Sequence, residues 1–174
     1  MQFEMQTFLD FSRALTLTKG SIEPPTAVTC AVLSLTKDTN ITPGAVLSRR
    51  KEVDEVSVWD VVALLEGGSL LELKATGNHG DWRHRGDRLP DDDARVISGT
   101  LRSLSDVRSL ELTSMTCLEN TQTKKAYAYA NWKVLWLDGA VTVLEAPGMN
   151  RDLERQAVDA IAEAARANLL ARGS

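Results

Sequence analysis

The stretch VSVWDVVALLEGGSLLELKAT, from Val56 to Thr76, decides the fold class of this chain. Two apolar runs flank Glu66-Gly67-Gly68-Ser69, and a Gly-Gly pair between such runs is a strong short-range hairpin signal. Val56, Val58, Trp59, Val61 and Val62 favour a pleated backbone, because a branch or a ring at Cβ loses rotamer freedom in a helix. The first run is apolar on both faces, which predicts a strand central in its sheet. The second alternates: Leu71, Leu73 and Ala75 point one way, and Leu70, Glu72 and Lys74 the other.

Downstream, AYAYANWKVLWLDGAVTVLEA (126–146) repeats the pattern around Asp138-Gly139, a preferred type I′ turn dipeptide. A two-residue turn there sets Leu137 opposite Ala140, and Trp136 and Val134 opposite Val141 and Val143. Trp132, Val134 and Trp136 then form one apolar face. Tyr127, Tyr129, Lys133 and Thr142 dominate the other, with Leu135 and Leu144 among them. Pro147-Gly148 breaks the run, and Asn150 suits the N-cap of a closing helix over 151–171. Leu153, Ala157, Ile161, Ala164 or Ala165, and Leu169 fall on one stripe of that Ala-rich helix. Between the hairpins lies the most polar stretch, GNHGDWRHRGDRLPDDD (77–93), read as a long loop. In residues 94–117, helical spacing of Ile97, Leu101, Leu104, Val107 and Leu110 competes with strand character. The serines and Gly99 favour a strand, a turn at Leu104-Ser105-Asp106, and a further strand to about Leu118.

Upstream, Phe8, Phe11 and Leu15 predict a short amphipathic helix within 3–17, with Lys19-Gly20 as its stop. Pro24-Pro25 forces an extended segment, Ala27 to Leu35 reads as a strand, and the polar residues 36–55 as a connection. The organisation expected is a segment 1–55 of helix, strand and connection, followed by a sheet with a closing helix over 56–171. The fold class is α+β: a mostly antiparallel sheet of about five to seven strands with a C-terminal amphipathic helix packed on it. This element order resembles the pleckstrin-homology superfold over roughly residues 56–171, although the tryptophan such domains commonly carry in the closing helix is missing.

With 174 residues, the chain suits one domain with a sizeable core, or one domain and an N-terminal extension. With a net charge of −4 and a pI near 5.2, no global basic field argues for nucleic acid or anionic membrane. Nucleic acid is not the expected partner, and local basic patches are left open. Cys30 and Cys117 sit in apolar runs and read as buried free thiols, with a disulfide between them left open by sequence. No Cys-x-x-Cys spacing is present, so no metal is expected. MQFEMQTFLDFSRAL at the N-terminus has no long apolar run, so neither a signal peptide nor a membrane span is expected, and the cytoplasm is the expected location.

Three constellations are candidates for chemistry. The first two are set against simpler readings, a cross-strand or same-face ion pair on a solvated sheet and a solvated loop of mixed charge. Asp60, Glu72 and Lys74 resemble the Asp…Glu-x-Lys pattern of restriction-endonuclease-like nucleases, in which two carboxylates hold a divalent metal and a lysine positions the attacking water. A Gly67-Gly68 turn, however, sets Asp60 opposite Ala75 and on the face away from Glu72 and Lys74. A three-residue loop restores the shared face but leaves Asp60 across from Thr76. The second constellation is the loop with His79, Asp81, Trp82, Arg83, His84, Arg85 and Arg88. Its imidazoles and carboxylates are metal-binding types without a fixed spacing, whereas Trp82 and Arg83, Arg85 and Arg88 suit docking to a partner. The third is the set Tyr127, Tyr129, Trp132 and Trp136 beside Lys124, Lys125 and Lys133. An exposed set of this kind stacks single-stranded bases, while core packing explains the tryptophans more simply. No P-loop, nucleophile elbow or dinucleotide fingerprint occurs. The reading that follows is a non-enzymatic interaction domain, an adaptor or assembly subunit without a cofactor. Its partner is another protein or a second copy of itself, and its tools are the loop, a sheet edge and the flank of the last helix. A metal-dependent nuclease and a nucleic-acid-binding sheet are the alternatives.

Overall fold

A computed structural model of the chain describes residues 4–16, 24–37, 39–53, 56–78, 96–120, 122, 124–146 and 152–173. The chain divides into two compact units, residues 1–102 and 103–174. Its strands fall into two antiparallel sheets rather than one.

The first unit contains α1 (Met5–Leu15), α2 (Thr26–Thr36), β1 (Ile41–Val53), β2 (Val56–Leu65), β3 (Ser69–Asn78) and β4 (Val96–Ser103), with the strands in the order β1-β2-β3-β4. The central position expected of the 56–65 strand is observed. Its odd-numbered residues Trp59, Val61, Ala63 and Leu65 join Leu71, Leu73 and Ala75 of β3 in one core. Phe11 and Leu15 of α1 and Val28, Val32 and Leu33 of α2 complete it. The Trp59 indole N–H donates to Ser48 Oγ at 2.9 Å, which satisfies the one polar atom of a fully buried ring.

Two segments differ from the sequence expectation. Residues 26–36 are helix, not strand: the buried positions Val28, Thr29, Val32, Leu33 and Thr36 recur at helical spacing. An apolar run this short satisfies either period, and the core it meets decides between them. Residues 41–53 are a strand, not a connection. The register shift between Ile41 and Val46 absorbs Pro43-Gly44 in an irregularity at the sheet edge, where proline removes no ladder bond the sheet needs.

In the second unit a single 3-10 turn, Leu104–Asp106, leads into β5 (Val107–Asn120), β6 (Lys125–Trp136), β7 (Val141–Leu144) and α3 (Asp152–Arg172). The strand–turn–strand reading of this region is borne out. The sheet order is β5-β6-β7, and α3 packs on β5 and β6. Buried Ala157, Val158, Ile161, Ala162 and Ala165 face the sheet, whereas Leu153, expected on the stripe, is exposed. The small residues of this row allow close approach, and Arg172 closes the last turn by donating to the Val107 carbonyl at 2.9 Å. Among the described residues, no helix is long and apolar enough to cross a membrane.

The two hairpins expected from sequence, β2–β3 and β6–β7, close one residue wider than a two-residue turn. Leu65 pairs with Ser69, so the first loop is Glu66-Gly67-Gly68, with the Gly68 N–H on the Leu65 carbonyl at 3.2 Å. In the second, the Trp136 N–H meets the Ala140 carbonyl at 3.0 Å and the Gly139 N–H meets the Trp136 carbonyl at 3.1 Å, leaving Leu137-Asp138-Gly139 as the loop. Gly67, Gly68 and Gly139 all take positive φ, where a Cβ is strained. The Ala140 N–H also donates to Asp138 Oδ1 at 2.9 Å, a local bond that favours the wider loop. One extra loop residue reverses facing across the hairpin. Val134 therefore pairs with Thr142 and Trp132 with Leu144, so Thr142 and Leu144 join the tryptophan face instead of opposing it. Thr142 Oγ1 there accepts the Trp136 indole N–H at 2.8 Å.

Candidate functional site

The wider first loop changes the Asp60, Glu72, Lys74 constellation. Asp60 pairs directly with Lys74, and Val62 with Glu72, so Asp60 is opposite neither Ala75 nor Thr76. All three polar residues lie on one face, away from the helix-covered core, with Asp60 and Glu72 as diagonal neighbours. Arg49 of β1 pairs with Asp60 from the other side, giving a cross-strand row of Arg49, Asp60 and Lys74. Glu72 is held by Arg102 of β4, with Nη1 to Oε1 at 2.8 Å. Opposite signs thus alternate across a partly solvated sheet face, and Arg102 with Glu72 makes the ion pair seen on it. Among the described residues, no group of three His, Cys, Asp or Glu side chains is gathered closely enough to hold a metal ion.

In the second unit, the aromatic side chains separate by role. Trp136 is buried in the core, as core packing predicts. Trp132 and Tyr129 are half-buried, and each carries a guanidinium of α3: Arg155 lies 3.6 Å from the Tyr129 ring centre and Arg166 5.2 Å from that of Trp132. Such contacts contribute about 0.5–2 kcal/mol each and cover the ring faces that stacked bases would need. The side chain of Tyr127 lies outside the described residues.

Arg155 also borders a cleft of about 220 Å³ with Thr116, Tyr129, Asn131, Ala146 and Asp159. Asn131 is fixed within it, donating to Ser114 Oγ at 3.0 Å and accepting from the Ala146 N–H at 3.3 Å. Partial burial pushes the Asp159 carboxyl up from its ordinary value, Glu163 adds to this, and Arg155 opposes it. Drug-sized ligands occupy about 300–1,000 Å³, so this cleft admits a single side chain or a small polar group.

β5 is the longest strand and lies at the edge of its sheet, with most of its described residues exposed. It has β6 on one side and, among the described residues, no strand on the other, although it runs from Val107 to Asn120. Residues 111–117 are all exposed, Leu112 at 50% and Met115 at 56%. Edge strands are commonly blunted by Lys, Pro or a short length. The stretch SLELTSMTC (109–117) has neither residue and only one charge, Glu111. Its irregularities are the register shifts between Val107 and Ser109 and between Leu112 and Ser114. Sequence reasoning found the strand but not its edge position, which depends on pairings that local patterning does not encode.

The loop residues Trp82, Arg83, Arg85 and Arg88, with His79, Asp81 and His84, lie outside the described residues, as does Asn150. Cys30 is a half-buried free thiol whose pKa is raised by burial. Cys117 is also free but exposed on β5, not buried as expected, because an edge strand covers neither of its faces completely. No protein-family model matches the chain, and no curated protein or solved structure shows significant similarity to it.

Proposed function

We propose that this protein is a non-enzymatic interaction domain, an adaptor or assembly subunit that captures an extended segment along the open edge of β5. The observation that carries the reading is that edge: a long strand with residues 111–117 all exposed, two half-exposed apolar side chains and no lysine or proline over 109–117. Added strands bind through main-chain hydrogen bonds, and pockets for alternate side chains supply selectivity. The cleft at Thr116 and Arg155 is the size of one such pocket. Trp82, Arg83, Arg85 and Arg88 are the second contact in this reading, as an aromatic and arginine anchor set.

The test is a paired substitution, Leu112→Lys with Met115→Lys, placing charge on the edge. Partner capture should be lost with the melting temperature unchanged, since both side chains are half exposed. On its own, Trp82→Ala with Arg85→Ala should weaken capture by the otherwise unchanged protein. Capture that survives the lysines overturns the edge reading.

A second reading, metal-dependent phosphodiester cleavage, is favoured by the register that sets Lys74 directly opposite Asp60 with Glu72 on the same face. Labelled DNA and RNA incubated with the purified chain, with and without magnesium or manganese, separate the two. Cleavage that disappears in Glu72→Ala would replace the interaction reading with the nuclease.

A further inference from the structure

We infer that the occupant of the β5 edge is β5 of a second copy of this chain, paired antiparallel about a two-fold axis between Thr113 and Ser114. The inference rests on the interaction reading and names its partner.

A two-fold axis makes every cross-strand pair occur twice, so a register is favourable only if its pairs suit each other in both directions. Around the axis between Thr113 and Ser114, Arg108 falls opposite Glu119, Leu110 opposite Cys117, Glu111 opposite Thr116, and Leu112 opposite Met115. Arg108 and Glu119 are both exposed, so two complementary charge pairs close the ends of the new ladder. Between them the exposed side chains of Leu112 and Met115 meet each other, and Glu111 meets a neutral residue. Moving the axis by half a residue either way sets Arg108 against Leu118 or Asn120 and loses both charge pairs.

Of the two register shifts in β5, the one between Leu112 and Ser114 makes the apolar pairing geometrically consistent. On an unbroken strand, residues 112 and 115 point to opposite faces. Here Leu112 pairs with Trp132 of β6 and Met115 with Ala130, partners two apart, so the extra residue Thr113 returns Leu112 and Met115 to the same face. Leu110 and Cys117, opposite Val134 and Ala128, lie on that face as well. Side chains directly opposite across a ladder must share a face to interact. An irregularity that would ordinarily discourage edge pairing instead matches this strand to its own copy.

Sedimentation velocity over a concentration series tests the proposal with three variants: Arg108→Glu, Glu119→Arg and the two combined. The wild type should associate reversibly to a dimer. Each single reversal sets like charges opposite one another at both ends and should raise the dissociation constant by about tenfold or more. The combined variant restores opposite charges in both pairs and should recover the wild-type dimer, a rescue that only self-pairing in this register predicts. Melting curves for all three variants control for folding. A wild type that stays monomeric throughout, or a combined variant no better than the single ones, overturns the inference. If that monomer still loses capture of another protein through the Leu112→Lys, Met115→Lys pair, self-pairing fails while the edge reading stands. If capture also survives the lysines, both fail.

Discussion

The two sheets solve the same problem at their centres and differ at their margins. Each buries one tryptophan on a middle strand and satisfies its indole N–H with a hydroxyl of the neighbouring strand, Trp59 with Ser48 and Trp136 with Thr142. The β2–β3 and β6–β7 hairpins each close through a three-residue loop ending in glycine. In the first sheet, however, β2 is paired on both sides over nearly its whole length, and two helices cover its tryptophan face. In the second, β7 pairs only with Trp132 to Leu135 of β6, and β5 stands as a long exposed edge. The first sheet uses its strands to close a core. The second has its longest strand, β5, at an edge, exposed throughout 111–117 with β6 alone beside it among the described residues. The first also ends in an exposed edge, the shorter β4, where Ile97 and Leu101 are exposed.

The largest effect should come from attacking the closed part of the second unit. Ile161 is fully buried in the row Ala157, Val158, Ile161, Ala162 and Ala165. Ile161→Asp places an unpaired charge there and should cost about 4 kcal/mol or more, unfolding this unit or releasing α3. Far-UV circular dichroism and a thermal melt would show it. A variant with the native spectrum and melting temperature would mean that α3 contributes nothing to the core.

Next come the two indole bonds, which test whether the centres are as alike as they look. Ser48→Ala and Thr142→Val each leave a buried N–H without its acceptor, a loss of about 1–3 kcal/mol. Equal losses by urea denaturation would confirm the parallel. A loss in only one would show that the other indole finds water and that its core is the more open. Gly139→Val should cost about 1 kcal/mol or more, because a β-branched residue resists the positive φ of +83° at that position. Gly67→Val, at +91°, should behave the same way, and a neutral result at either site would mean that its loop relaxes to another turn.

The residues that made the fold legible were those whose signal is local. Alternation in 69–78, the Gly-Gly and Asp-Gly loops, the turn at 104–106 and the alanine-rich last helix all act over a few neighbours. The failures were tertiary decisions. Ala27 to Leu35 fits either period, and only the core beneath Val28 and Val32 selects the helix. The loop dipeptides announce a turn but not its width, and that single residue moved Asp60 opposite Lys74 and Thr142 beneath Trp136. The candidate edge was the least legible, because whether a strand has one neighbour or two is set by the whole sheet. The charged row and the cleft share that origin, being made by register rather than by any motif.

The smallest expected effect lies at the cleft beside the open edge, and its direction with pH is what makes it informative. Burial holds the Asp159 carboxyl above its unfolded value of about 4, with Glu163 adding to the shift and Arg155 opposing it. Between the unfolded and folded pKa values the native state binds more protons than the unfolded state, so stability falls as pH rises through that window. At neutral pH the ionised carboxylate is therefore a liability, and Asp159→Asn should raise the melting temperature slightly. Below about pH 4 both states of the wild type are protonated, and the advantage of the variant should vanish. Melting curves of the two proteins across the acid range measure the difference directly. If the wild type is instead the more stable at neutral pH and loses its lead on acidification, attraction to Arg155 outweighs burial. The cleft would then be a closed structural ion pair, and the second unit would resemble the first more than its open edge suggests.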